Sequence, residues 1–387
     1  MSGGVMALPF EAGEYEGRMD RLTDAMGARG LDGMVTFVQE NQYWLCGYET
    51  TGFHSFPQAL IVTAGGSKLL VTRQLEIENA TDNAFALPAV GYQDDEDPGV
   101  AIARGLAEMG LSKGKVGLEK KTPWVTIQVY EALLDSAPDA EFADCSGMIE
   151  LLRSVKSEAE IAYMRAAARC VGAAVRAGVD AVHAGVTEFE VAAAISHARI
   201  AAGSHFTRNP TYVASGARSA LGHASWIGRE IEKGDVVFFE LGANVRHYDS
   251  ALIRCAVAGP ATDEMKACHE ASVAALDSVL GVLKPGAIAK DANAAAVAAF
   301  DARGYAGRFD HRVGYGIGIE FLTWIERGGL SLDAGSTQVV RPGMTVHLIP
   351  FFKTAGQYSI GVSETVLVTE TGNEVFETGC PRELFER

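Results

Sequence analysis

Two glutamates in the C-terminal half carry the chemistry that this sequence offers. Glu240 lies in "DVVFFELGANVRHYDSALIRC" and Glu364 in "GVSETVLVTETG", each an apolar, strand-like run bounded by glycine. A carboxylate in such a run is desolvated, which raises its pKa towards neutrality and makes it a strong host for a cation. That equipment suits hydrolysis of an amidine or guanidine. The carbon between two nitrogens is already electrophilic once protonated, so an anion, a base or nucleophile, and an acid for the leaving nitrogen suffice. Glu240 is the expected group to attack that carbon or activate water against it. His223, in "SALGHA", would carry the proton to nitrogen, and Tyr315, in "RVGYGIGIEF", would donate to the tetrahedral intermediate. Glu364 would complete an acidic pair, desolvated by Ile349, Phe351 and Phe352. A substrate carboxylate would meet Arg254, Arg208 or Lys353, with His347, in "GMTVHLIP", as a further binding candidate. Each residue also has a plainer reading. A buried Glu is often held by a structural partner, a loop His is often only solvated, and Tyr315 can simply fill space. His347 can be a core histidine bonded to backbone, Arg254 can pair with an acidic neighbour, and His247 reads as a surface or rim residue.

Such groups need a scaffold to bring them together. The chain has 387 residues, too long for one ordinary domain and about right for two, and 48% of them are hydrophobic. A formal net charge of -16 argues against nucleic acid and against anionic membrane surfaces, which require a basic patch. The six cysteines, at 46, 145, 170, 255, 268 and 380, show no CxxC spacing and read as reduced thiols of an intracellular protein. No secretory signal is evident at the N-terminus, and no apolar run approaches the ~20 residues of a membrane span. The expected location is cytoplasmic.

Residues 1–152 read as a small α/β domain. A helix is predicted over 16–29, a buried strand at "LDGMVTFV", a hairpin at "ALIVTAGGSKLLVT", a strand at "KVGLEK" and a helix over 124–136. Residues 153–387 read as helices, strands, helices, strands. Ser157 with Glu160 and Thr187 with Glu190 have capping-box spacing and open two helices. Strands follow near 211–215, 236–241 and 251–257, helices near 264–283 and 291–303, then strands near 345–351 and 360–369. That order implies an internal pseudo-repeat of α-α-β units around one curved antiparallel sheet. The glycine-rich "GYGIGIEF" is no phosphate cradle, because it lacks the Lys-Ser/Thr and opens no helix after a parallel strand.

Seven segments, "LLRSVKSEAEIAYMRAAA", "GVTEFEVAAAI", "YVASGARSALGHA", "EIEKGDVVFFELGA", "GYGIGIEF", "VRPGMTVHLIP" and "SETVLVTETG", resemble in order and spacing the creatinase, aminopeptidase P and methionine aminopeptidase family. The resemblance implies an α+β pita-bread catalytic domain preceded by a creatinase-type N-terminal α/β domain. Peptidases of that family hold two divalent metals with two Asp, one His and two Glu. The resemblance places Glu240, Ala251, Tyr315, Ile349 and Glu364 at those positions. Ala and Ile have no lone pairs and a neutral phenol is a poor ligand, so no metal and no other cofactor is expected. The metal-free members narrow the comparison. The chain departs from creatinase at Ile349 and Ile253, and is most similar to the ectoine hydrolase group, sharing the Glu at position 240 and the runs "RHYD", "RVGYGIG" and "VHLIP". The implied activity is metal-independent hydrolysis of a non-peptide C–N bond in a small zwitterionic amidine. The alternatives are a creatinase-like amidinohydrolase acting on a guanidino acid, a metallo-aminopeptidase or lyase relative, and a non-catalytic binding scaffold. The resemblance also implies a homodimer, with Trp44, Tyr48 and Phe53 at the rim of the partner's site.

Overall fold

The structure, a computed structural model, describes residues 8–207 and 211–387. The chain forms two compact units, Met1–Arg153 and Ser154–Arg387. The first is built on a mixed six-stranded sheet of β1 (Gly33–Thr36), β2 (Ala59–Thr63), β3 (Lys68–Arg73), β4 (Ala89–Tyr92), β5 (Lys115–Leu118) and β6 (Glu141–Asp144). The spatial order is β4-β3-β2-β1-β5-β6. The hairpin expected around Gly65–Gly66 is the antiparallel pair β2–β3. Helix Ala12–Gly27 buries Tyr15, Arg18, Leu22 and Met26, a stripe at helical spacing. Arg18 stacks 4.1 Å from the Phe10 ring and donates to the Trp44 carbonyl at 2.8 Å.

These contacts correct the expectation of an aromatic rim. Trp44 lies in helix Gln39–Cys46 and is fully buried, with Arg18 and Arg21 over its ring. Tyr48 is also buried and donates to Gln58. Phe53 packs edge-on against Trp124 with ring centroids 4.8 Å apart. All three are spent on the interior of this chain.

The second unit opens with helices Glu158–Ala181 and Glu188–Ala201, and both predicted capping boxes are formed, at Ser157/Glu160 and Thr187/Glu190. Helices Asp263–Val282 and Ala289–Asp301 follow. The strands are β7 (Tyr212–Ser215), β8 (Val236–Val245), β9 (Tyr248–Val257), β10 (Gly314–Gly316), β11 (Ser331–Leu332), β12 (Thr345–Leu348), β13 (Phe351–Thr354), β14 (Tyr358–Gly361), β15 (Glu364–Val368), β16 (Asn373–Val375) and β17 (Phe385–Glu386). They form three ladders rather than one continuous sheet. One runs β11-β10-β12-β15-β16, one β17-β9-β8-β7, and the third is the pair β13-β14. β17 pairs parallel to β9.

The long hairpin β8–β9 organises this unit. Its two-residue loop, Arg246 and His247, has positive φ at both positions, 53° and 62°, the geometry that matches the twist of flanking strands. Alternation along β8 sends Val237, Phe239, Leu241 and Ala243 into a core with Val171, Val175 and Ile195 of the first two helices. The intervening Phe238, Glu240 and Gly242 therefore face the other way. β9 and β15 are joined by hydroxyls. The Ile253 N–H donates to Ser363 Oγ at 2.5 Å, the Ala251 N–H donates to Thr365 Oγ1 at 3.1 Å, and that hydroxyl donates to the Ala251 carbonyl at 3.0 Å. Thr365→Val keeps the shape but leaves the Ala251 N–H and carbonyl buried without partners. Stability should fall by about 2 kcal/mol in urea unfolding with an unchanged denaturant slope, and an unchanged midpoint would show that the seam does not depend on this hydroxyl.

Candidate active site

Beneath the cavity-facing side of β7 and β8 lies a cavity of about 340 Å³. Tyr212, Phe238, Tyr315, Trp324, Ile349 and Phe351 wall it, and Glu240, His223, Asp310, His311, Arg312 and Lys353 supply its ionisable groups. Glu240 sits opposite Tyr212 on β7 and Ile253 on β9. Its carboxyl has no hydrogen-bond or ion-pair partner among the described residues, and burial alone pushes its pKa up to about 7.

Tyr315 on β10 is bound from two sides. Trp324 Nε1–H donates to its hydroxyl at 2.8 Å, and His347 Nδ1 lies 2.9 Å from the same oxygen. The indole reaches this position because Gly242 has no side chain; a Cβ there would come within 2.6 Å of the Trp324 ring. Burial, then the nearby Glu240 charge, holds the Tyr315 phenol well above its ordinary pKa, so it remains a proton donor. The Arg312 guanidinium lies 4.6 Å from the centre of the Tyr315 ring. His311 is flanked by the Arg312 and Phe351 carbonyls, 2.8 and 3.1 Å from its ring nitrogens, which ties the Arg312 loop to β13. His223 has φ of 59°, a region that His tolerates better than most side chains, and its ring centroid is 5.5 Å from that of Tyr212.

Glu240, His223, Tyr315, Lys353 and Phe351 thus come together around one space. Three other candidates of this unit, Glu364, Arg254 and His347, do not line it. Glu364 is 3% exposed and its Oε1 accepts from Arg254 Nη2 at 2.9 Å and Arg382 Nε at 2.8 Å. It pairs with Leu348, one residue out of phase with Tyr315 and His347, so it points to the other face of its sheet. The expected acidic pair with Glu240 is therefore absent, and the raised pKa of Glu240 has desolvation as its cause. Arg254 is fully buried opposite Phe239, on the core side of β9. Its donors serve the carbonyls of Ile253, Ser363, Cys380 and Pro381 as well as Glu364. His347 is fully buried and acts through Tyr315, with its other nitrogen 2.7 Å from Ser363 Oγ. Burial, then Arg254, lowers its pKa to about 3, so the ring is neutral. Arg208 lies outside the described residues. His247, expected at the surface, is buried and stacked on Phe321 with centroids 4.0 Å apart. Sequence reasoning missed Arg312, Trp324 and Ser363. For Ser363 a signal existed, since strand parity places residue 363, not 364, on the side of Thr365 and His347.

The pattern of the Creatinase/Prolidase N-terminal domain matches residues 18–155, and that of metallopeptidase family M24 matches residues 162–370. The chain belongs to metallopeptidase family M24. Its fold is the two-domain arrangement of a creatinase N-terminal domain followed by the pita-bread domain. Among its M24 relatives are the ectoine hydrolase of Halomonas elongata, 27% identical over 98% of this chain and 99% of that protein, and the Xaa-Pro dipeptidase of Pyrococcus horikoshii, 26% identical over 95% and 98%. The Xaa-Pro dipeptidase structure from Bacillus anthracis superposes with a TM-score of 0.84 at 27% identity, covering 96% of this chain and all of that one. The chain is thus a hydrolase of the M24 family.

The metal that the family's name implies finds no matching donor set among the described residues. Of the positions 240, 251, 315, 349 and 364, only Glu240 brings a carboxylate to the cavity; Tyr315 stays protonated and Ile349 has no lone pair. Among the described residues no group of three or more His, Cys, Asp and Glu is arranged to hold a metal ion. Nor, among these residues, is any helix long and apolar enough to cross a membrane.

The raised pKa of Glu240 has a consequence for stability. The folded state holds this proton more tightly than the unfolded chain does, so ionising the group costs stability as pH rises from 4.5 to about 7. Glu240→Gln should match the parent near pH 4 and exceed it by roughly 2–3 kcal/mol at pH 8. Denaturant unfolding at both pH values reads the difference, and a constant gap would show that Glu240 titrates normally.

Proposed function

We propose that this chain is a metal-independent hydrolase that opens a C–N bond in a small zwitterionic amidine, of the kind named in its relative ectoine hydrolase. One observation carries the reading: a carboxyl without a partner among the described residues, its pKa raised to about 7 by burial, faces an aromatic-walled cavity that also holds Arg312 and Lys353. Glu240 pairs with the amidinium, and the aromatic walls of Tyr212, Phe238 and Trp324 flank that charge. Arg312 and Lys353 supply the counter-charge for a substrate carboxylate.

In the reaction Glu240 takes a proton from water as the water oxygen bonds to the amidine carbon. Tyr315 donates a hydrogen bond to the tetrahedral adduct. The ring C–N bond breaks as the leaving nitrogen receives a proton from His223 at the cavity mouth; the adduct O–H returns a proton to His223 as it becomes the amide carbonyl, and the departing amine takes the proton held by Glu240, which restores both residues. The products are an amide, whose oxygen came from water, and a primary amine. The family's peptidase relatives cleave an uncharged bond with a set of metal-binding side chains that positions 315 and 349, Tyr and Ile here, do not reproduce.

A panel of ectoine, hydroxyectoine, creatine and an Xaa-Pro dipeptide, each with and without a chelator, tests the proposal. Ring opening of ectoine should be unaffected by the chelator and should fall at least 1,000-fold in Glu240→Gln. Arg312→Met should raise KM about tenfold with little change in kcat, as expected when a charged ground-state contact is lost. Chelator-sensitive cleavage of the dipeptide would overturn the proposal, and turnover of creatine in place of ectoine would move the chemistry to a guanidino acid.

A further inference from the structure

We propose that Ser363 sets the proton on His347 and thereby makes Tyr315 a donor into the cavity. This rests on the function proposed above for the kinetic part of its test. The argument is a count of protons. His347 is neutral and carries one N–H, on either Nδ1 or Nε2. Its Nδ1 is 2.9 Å from the Tyr315 hydroxyl and its Nε2 is 2.7 Å from Ser363 Oγ. The Ser363 oxygen already accepts the Ile253 N–H at 2.5 Å. Among the described residues, His347 Nε2 is the one acceptor within reach of the Ser363 proton.

With the proton on Nε2, the ring would donate to Ser363 and leave the Ser363 O–H buried without an acceptor. With the proton on Nδ1, Ser363 and both ring nitrogens are satisfied, and the one hydroxyl proton left without a protein acceptor among the described residues is that of Tyr315, which lines the cavity and can meet water or substrate there. Ser363 donates to Nε2, and Nδ1–H donates to the Tyr315 oxygen. That oxygen then accepts twice, from His347 and from Trp324 Nε1–H. Both protein groups at the phenol are donors, so its own proton turns to the cavity, where Glu240 and the substrate lie. A phenol that receives two hydrogen bonds is also held in orientation before substrate arrives, as a donor to a developing charge must be. Ser363 and His347 are positioning residues, and Tyr315 is the group that touches substrate.

The tautomer can be read directly. In protein labelled with ¹⁵N-histidine, long-range ¹H–¹⁵N correlation distinguishes a protonated ring nitrogen from a bare one, and the His347 signals are assigned by their loss in His347→Asn. The expected result is a proton on Nδ1, unchanged between pH 6 and 8. A proton on Nε2 would overturn the proposal whatever the substrate proves to be. Kinetics give the second arm. Ser363→Ala should lower kcat about 10- to 100-fold with KM within threefold, Tyr315→Phe should lower it at least as far, and the double variant no further than Tyr315→Phe. Ser363→Thr, which keeps the hydroxyl, should restore most of the rate. Additive losses would overturn the relay. If none of the amidines is turned over, the function proposed above falls while the tautomer result still decides the relay.

Discussion

The seam between β9 and β15 is the constraint on which the site depends. Two ladders meet there, and the contact is made by the Ser363 and Thr365 hydroxyls reaching the backbone of Ile253 and Ala251. A hydroxyl can accept and donate at once, so it can join one strand and still serve a side chain on its own sheet. Ser363 does both, holding Ile253 on one side and His347 on the other. The same oxygen therefore belongs to the fold and to the path that ends at Tyr315. Ala251 fits this arrangement because a small apolar residue lets the two strands approach while its backbone is bound by Thr365.

Two glutamates of this unit show how environment separates chemically equal groups. Glu364 is almost fully buried but receives two guanidinium groups, and its charge is consumed in holding β15 to β9 and to the C-terminal segment around Arg382. Glu240 has no partner among the described residues and is kept near neutrality in pKa by desolvation. An unpaired carboxyl costs the fold stability at neutral pH, a cost proteins retain where a group must act rather than hold. Its strand can bear this because the opposite face of β8 is committed to a dense core with the first two helices.

Much of the fold was legible because its signals are local. Ser157 with Glu160, and Thr187 with Glu190, satisfy their own backbone within four residues, and the β2–β3 turn is announced by adjacent glycines. The cavity was partly legible, because Glu240, Tyr315, Ile349 and Phe351 stand in runs whose apolar character marks them as interior. What failed was parity. Glu364 and Arg254 each sit one residue from a position facing the Tyr315–His347 cluster or the cavity, and in a strand one residue reverses the side chain completely. Arg312 was missed for a different reason: it lies in a loop, where no period says which way a side chain turns. Trp324 depends on the missing side chain of Gly242, a contact across 82 positions that no window along the chain can contain. His247, read as a surface or rim residue, is instead covered by Phe321, a partner 74 positions along the chain.

On the function proposed above, a cationic substrate would act on Glu240 through electrostatics. At neutral pH a group with pKa near 7 is only half ionised, which makes it a mediocre base in the empty site. A positive charge about 4 Å away, at the effective dielectric of a partly buried site, favours the carboxylate by up to about 4 kcal/mol, or roughly three units of pKa. An amidinium that enters the cavity therefore brings its own electrophilic carbon and also completes the ionisation of Glu240. A peptide bond carries no charge of its own, so its carbonyl carbon is not activated in this way and would rely on Tyr315 alone as donor to the developing charge. Discrimination on this account comes from the charge state that the ligand imposes on Glu240, and the aromatic walls need only match its size.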